Sequence, residues 1–135
     1  MSHITESQFT DRFVSLVLGS RELPKKHLDR HILFISSILK LEPTQQYSEK
    51  ELNEALQIWI IPFGRSFALD HVTLRRYLID EKYLTRDSAG GTYELAEAGL
   101  PYTFDESIRK LDLEKLVSEA KQARELKKQQ YLKGG

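Results

Sequence analysis

Leu69-Asp70-His71-Val72-Thr73-Leu74-Arg75-Arg76-Tyr77-Leu78-Ile79-Asp80-Glu81-Lys82-Tyr83-Leu84-Thr85-Arg86 reads as a capped helix that runs into a β-hairpin. Asp70 is placed to accept from the amides that a first helical turn leaves free. Leu69 before the cap and Leu74 inside the helix have hydrophobic-staple spacing. Stepping about 100° per residue around the axis puts Leu74 and Leu78 together, flanked by His71 and Tyr77. Thr73, Arg76 and Asp80 share the opposite, polar arc. The two arginines therefore take different roles. Arg76 is expected to point outward, and Arg75 to be held at the core edge by a carboxylate, Glu51 or Glu54.

Downstream, residues 83–87 and 92–95 are expected to form a two-stranded hairpin around Ser88-Ala89-Gly90-Gly91. The glycine pair suits the positive φ values of a tight turn. No nucleotide-binding pattern surrounds it, so a phosphate loop is the weaker reading. Upstream, Tyr47-Ser48-Glu49-Lys50-Glu51-Leu52 is a capping box, with Ser48 and Glu51 satisfying each other's amides. Leu52, Ala55, Leu56 and Trp59 continue it as an apolar stripe. Glu49, Glu51 and Glu54 read as acids suited to the positive end of a helix, not as paired catalytic carboxylates. Residues 60–67 form a loop of about eight residues between the two helices, longer than a tight helix-turn-helix. Phe63 and Phe67 read as core plugs. The alternative is a base-stacking platform around Arg65.

Before these, Thr5 and Gln8 have capping-box spacing, and Ile4 is placed to staple onto Phe9. Phe9, Phe13, Leu16 and Val17 follow at helical spacing up to Gly19. Pro24 suits the first turn of the next helix. There Leu28, Ile32, Ile35 and Leu39, widened by Phe34, Ile38 and Leu41, describe a central, buried element. Lys25 and Lys26 at its start read as exposed charges rather than an anion site. His27 and His31 lie one turn apart, a spacing that suits a shared metal. No His-Glu-x-x-His pattern accompanies them, so they read as histidines flanking the apolar stripe, and no metal is assigned.

After a linker at residues 96–101, a last helix is expected from Phe104 and Asp105, with Thr103 and Glu106 as an alternative capping box. Ile108, Leu111, Leu116, Val117, Ala120 and Ala123 give it a thin stripe, and unbroken it would extend about 40 Å. It is either an arm for a partner or second copy, or a cover over the first helix. Lys121, Arg124, Lys127, Lys128 and Lys133 against Glu125 read as a solvated helix end suited to the dipole.

Helix, loop, helix and hairpin together describe a mainly α chain with a small β-hairpin, a winged-helix-like core with an N-terminal helix and a long C-terminal helix. The expected divisions are residues 1–22, 23–95 and 96–135. The 135 residues are 40% hydrophobic, enough for a packed core. No apolar run is long enough to span a membrane, and the first residues lack the layout of a signal peptide. With 0 cysteines there is no disulfide or zinc–thiolate site, and the expected location is the cytoplasm. Lys and Arg number 20, as do Asp and Glu, so no global charge draws the chain to nucleic acid.

Leu23-Pro24-Lys25-Lys26, Tyr47-Ser48-Glu49-Lys50-Glu51-Leu52-Asn53-Glu54, the run from Asp70 to Asp80, Leu84-Thr85-Arg86 and Gly91-Thr92-Tyr93 occur in one order. Over roughly residues 23 to 95 they resemble the uncharacterised bacterial domain-of-unknown-function 2087 family. That resemblance implies a winged-helix-like fold and a regulatory setting, since some members are joined to transcription-regulator domains. It implies no catalytic residues.

Two functions compete. In the first, a DNA-binding or transcription-associated module, Thr73 and Arg76 face the major groove and Arg86 on the wing meets the backbone. Residues 65–87 temper it, with five bases (Arg65, Arg75, Arg76, Lys82, Arg86) against four acids (Asp70, Asp80, Glu81, Asp87). The second is a protein-interaction or homodimerisation module working through the C-terminal helix. No nucleophile–base pair, cofactor loop or metal set is readable, so no enzyme, cofactor or membrane partner is expected. Ser48, Glu51, Trp59, Asp70, Leu74, Arg75 and Leu78 are assigned structural roles.

Overall fold

The computed structural model describes the backbone of residues 2–134 and the side chains of residues 2–132. In chain order it holds β1 (Ser2–Ile4), α1 (Glu6–Gly19), α2 (His27–Ile38), α3 (Glu49–Ile60) and a 3₁₀ turn at Gly64–Phe67. Then come α4 (His71–Asp80), β2 (Leu84–Asp87), β3 (Thr92–Leu95), β4 (Tyr102–Phe104), a 3₁₀ turn at Glu106–Lys110 and α5 (Leu113–Gly134). The chain is mainly α with a small β-hairpin, as its patterning predicts.

Helix α2 is the centre. Every residue from 31 to 39 is buried, which explains why its apolar stripe is so wide. Its first residue is His27, preceded by Lys26 with no side-chain cap, so Pro24 lies before the helix and not in its first turn. Helix α1 packs on it through Phe9, Phe13 and Leu16. Arg12 adds a two-point contact, Nε and Nη2 donating to the carboxylate of buried Asp29 at 3.0 and 2.9 Å. Thr5 caps α1 by accepting from the Gln8 amide at 3.2 Å.

The capping box at α3 forms in full. Ser48 Oγ accepts from the Glu51 amide at 3.1 Å, and Glu51 Oε1 accepts from the Ser48 amide at 2.9 Å. Those amide contacts also hold the Glu51 carboxyl below its usual pKa. Leu52, Leu56 and Trp59 are buried, as the stripe predicts. The connection to α4 is tighter than an open loop, because the Gly64–Phe67 turn winds up its second half. Phe63 and Phe67 are buried core plugs. Arg65 is exposed while both rings point inward, so no aromatic platform exists there. Gly64 is required by space: a Cβ would lie 2.6 Å from Ile60 Cδ1 and 2.9 Å from Trp59 Cζ3.

Strands β2 and β3 pair antiparallel, Leu84 opposite Leu95 and Asp87 opposite Thr92. Of the two turn glycines only Gly91 takes positive φ, at 67°. Tyr47, between α2 and α3, adds a bridge to Tyr93, each amide donating to the other's carbonyl at 2.7 and 2.8 Å.

The two ends of the chain depart from expectation. Residues 102–104 are strand, not helix, and β4 pairs in parallel with β1. Asp105 does not cap a long helix. It accepts instead from the Glu6 amide at 2.8 Å and meets His3 Nε2 at 2.7 Å, contacts that lower its carboxyl pKa, the His3 contact most. The Thr103–Glu106 capping box is absent, since Thr103 faces His3. Helix α5 begins at Leu113, where Asp112 accepts from the Lys115 amide at 3.1 Å. Its 22 residues span about 33 Å. Leu113, Leu116, Val117 and Ala120 turn inward where α5 lies on α1. Residues 121–132 are exposed, including Lys121, Arg124, Lys127 and Lys128. The side chain of Lys133 lies outside the described residues. No helix among the described residues is long and apolar enough to cross a membrane.

Candidate functional site

Two neighbourhoods gather chemistry-bearing side chains. The first is the outer face of α4 with the hairpin. Asp70 caps α4, Oδ1 accepting from the Thr73 amide at 2.7 Å, which holds the Asp70 carboxyl below its usual pKa. Leu74 and Leu78 are fully buried, which fixes the rotation of the helix. That rotation leaves Val72, Arg76 and Asp80 exposed.

Arg75 sits at the core edge, as the helical spacing predicts, but its partners are neither Glu51 nor Glu54. Its Nη1 donates to Asn53 Oδ1 at 2.7 Å and lies 3.2 Å from Glu49 Oε1. Glu51 is occupied by the capping box, whereas Glu49 and Asn53 lie one turn apart on the same face of α3. The Arg75 side chain is 16% exposed. Arg75→Ala is therefore expected to cost about 1 kcal/mol by stranding Asn53 and uncovering Tyr93, and Arg76→Ala less than about 0.5 kcal/mol. Urea unfolding of the two variants checks this, and equal small shifts would remove the distinction.

Tyr93 on β3 is buried, and its ring carries two guanidinium groups, Arg75 and Arg86, each 5.6 Å from the centroid. Arg75, Arg76, Arg86 and Tyr93 thus line one open groove between α4 and the hairpin, with Val72, Ile79 and Asp80 completing it. Among the described residues neither Arg76 nor Arg86 forms an ion pair. Of the residues expected to contact nucleic acid, Arg76 and Arg86 are brought together. Thr73 is half-buried in the first turn and does not line the groove. Sequence spacing missed Tyr93, whose signal was its alternation within a short strand opposite Arg86.

The second neighbourhood surrounds His27 and His31. Their rings lie 4.3 Å apart between centroids. His31 is 1% exposed. Its Nδ1 lies 2.6 Å from Tyr83 Oη and its Nε2 3.4 Å from Glu81 Oε2. Burial, helped by the charges of His27 and Arg30 and opposed by Glu81, pulls the His31 pKa down to about 4. Burial first, and then the Glu81 charge, raises the Tyr83 hydroxyl. His27 Nδ1 lies 2.8 Å from Tyr102 Oη on β4. Glu81, Tyr83 and Tyr102 carry no motif that ties them to the histidine pair, so only the fold reveals them.

Residues 21–95 match a family described as "Uncharacterized protein conserved in bacteria (DUF2087)", and the match takes in the groove and the histidine cluster except Tyr102. No curated protein and no solved structure matches the chain. Since the matched segment covers more than half of the 135 residues, the chain belongs to the DUF2087 family.

Proposed function

We propose that the chain is a non-enzymatic, winged-helix-like module that holds the phosphate backbone of duplex DNA in the groove between α4 and the β2–β3 hairpin. The observation that carries this reading is the pair Arg76 and Arg86, exposed and without ion-pair partners, on either side of Tyr93. The order α2, Tyr47 bridge, α3, α4, hairpin supports the winged-helix comparison, with α4 as the recognition helix and the hairpin as the wing. A transcription-associated setting follows from the resemblance of residues 23–95 to proteins joined to regulator domains.

The chemistry is phosphate contact more than base reading. Guanidinium groups suit phosphate oxygens, and such contacts position a protein on a duplex without reading its sequence. Asp80 in the same groove and the balanced net charge keep the number of contacts small. Affinity in the range of weak non-specific binders, about 10⁻⁴ to 10⁻⁶ M at physiological salt, is the expected scale. The Arg76→Ala/Arg86→Ala double variant is expected to weaken binding to a mixed-sequence duplex by about tenfold or more at low salt. Its melting temperature should stay close to that of the parent, because both side chains are exposed. Fluorescence anisotropy decides this, and unchanged affinity in the double variant would contradict the proposal.

A further inference from the structure

We propose that His27, His31 and Glu81 form a binding site for a divalent transition-metal ion of the zinc class, with the two imidazole Nε2 atoms and the carboxylate as ligands. Three geometric observations converge on it. Each of the three residues offers one ligand atom, and these atoms all lie within 4.8 Å of one another. Both histidines have Nδ1 beside a tyrosine hydroxyl, Tyr83 for His31 and Tyr102 for His27. That leaves Nε2 as the free nitrogen of each ring. With a metal on Nε2 the ring proton sits on Nδ1 and donates to the tyrosine oxygen, the outer-shell arrangement that fixes tautomer and ring orientation in metal sites. Finally, His27 is exposed and Glu81 half-buried, while His31 is enclosed. The cluster therefore has a rigid inner ligand, two adjustable outer ones and a path from solvent.

The closure required is small. Two ligands at about 2.05 Å from a tetrahedral ion stand about 3.3 Å apart. His31 Nε2 and Glu81 Oε2 are already at 3.4 Å. The widest ligand-atom separation, at most 4.8 Å, asks for a shift of about 1.5 Å, which falls on the two solvent-reaching side chains. Two imidazoles and one carboxylate suit Zn²⁺, Co²⁺ or Ni²⁺ far better than Mg²⁺ or Ca²⁺, which prefer oxygen ligands alone. Three protein ligands leave a further position for water. The ion would tie the start of α2 to the residue after α4, alongside β4.

The test is titration of the chelator-treated full chain with Zn²⁺ by calorimetry, and with Co²⁺ followed by visible absorption. One ion per chain is expected, with tetrahedral Co²⁺ bands and no competition from Mg²⁺. His27→Ala and Glu81→Gln alter residues that reach solvent, and circular dichroism verifies that both variants fold. Each is expected to weaken Zn²⁺ binding by about tenfold or more, and Tyr102→Phe, which removes the outer-shell oxygen at His27, by about tenfold. His3→Ala, at the separate His3–Asp105 pair, should bind as the parent does. Absence of Zn²⁺ binding, parent-like binding in both His27→Ala and Glu81→Gln, or loss of binding in His3→Ala alone would overturn the site.

Discussion

Trp59→Ala is expected to destabilise the chain by about 4 kcal/mol, a large part of the 5–15 kcal/mol by which such domains are stable. The reason is its position between three helices. Trp59 is buried on α3, and its Nε1 donates to Ser36 Oγ on α2 at 2.9 Å. Ser36 in turn donates to the Leu33 carbonyl at 2.6 Å. The indole packs on Phe63, whose ring meets Phe13 of α1 edge-on at 5.2 Å between centroids. Gly64 leaves room for that indole, so no neighbouring side chain stands ready to fill the space. Truncation therefore removes the burial of a large aromatic and leaves a cavity that collapses poorly. Trp59→Phe keeps much of the volume and loses the N–H, with Ser36 still bonded to Leu33, so about 1–2 kcal/mol is expected. In thermal unfolding the alanine variant should melt roughly 10–20 °C lower. A loss below about 1 kcal/mol would mean that Trp59 does not link the helices in this way.

The metal-free chain is expected to lose about 3 kcal/mol of stability between pH 6.5 and 4 through His31 alone, given its shift from 6.5 to about 4. The folded pKa is depressed, so in this window the unfolded chain binds a proton that the folded chain refuses. Stability then rises with pH. Above pH 6.5 both states hold neutral His31 and the contribution is flat; it is lost progressively on the way down to 4. The groups facing His31 are His27 and Arg30 on α2, Glu81 after α4, and the Tyr83 and Tyr102 rings. Asp70, Glu51 and Asp105 also have lowered pKa values and lose stability in acid, but only within and below the carboxylate range. The window from about pH 6.5 to 5 thus isolates the histidine. Urea unfolding at stepped pH with a chelator present measures the slope. His31→Gln, which keeps a polar group beside Tyr83, should flatten it. An equal slope in that variant would assign the effect elsewhere.

Elements whose signals are local were legible in the sequence. The α3 capping box, the Asp70 cap, the Leu74–Leu78 rotation and the hairpin turn each rest on residues within about one or two turns of each other. What distance controls was not legible. The β1–β4 pairing joins residues about 100 apart through three-residue strands, too short to show a period. Asp105 has the look of a helix cap because its preference for free amides is local, yet the amide it finds belongs to Glu6. Arg75 shows the same division. Helical spacing put it at the core edge, but choosing Glu49 and Asn53 over Glu51 required knowing that the capping box had already occupied Glu51. The candidate groove was half legible, since Arg76 and Arg86 were identified and Tyr93 was not. The histidine cluster was less so, because Glu81 comes to His31 only through the packing of α4 on α2.

The central claim is that Arg75, Arg76 and Arg86 form a phosphate-holding groove. The most direct measurement is the affinity of the full chain for a mixed-sequence duplex across a series of salt concentrations. About two to three phosphate contacts predict a slope of log K against log salt near −2 to −3. Absence of binding at low salt, or affinity that does not change with salt, would contradict it.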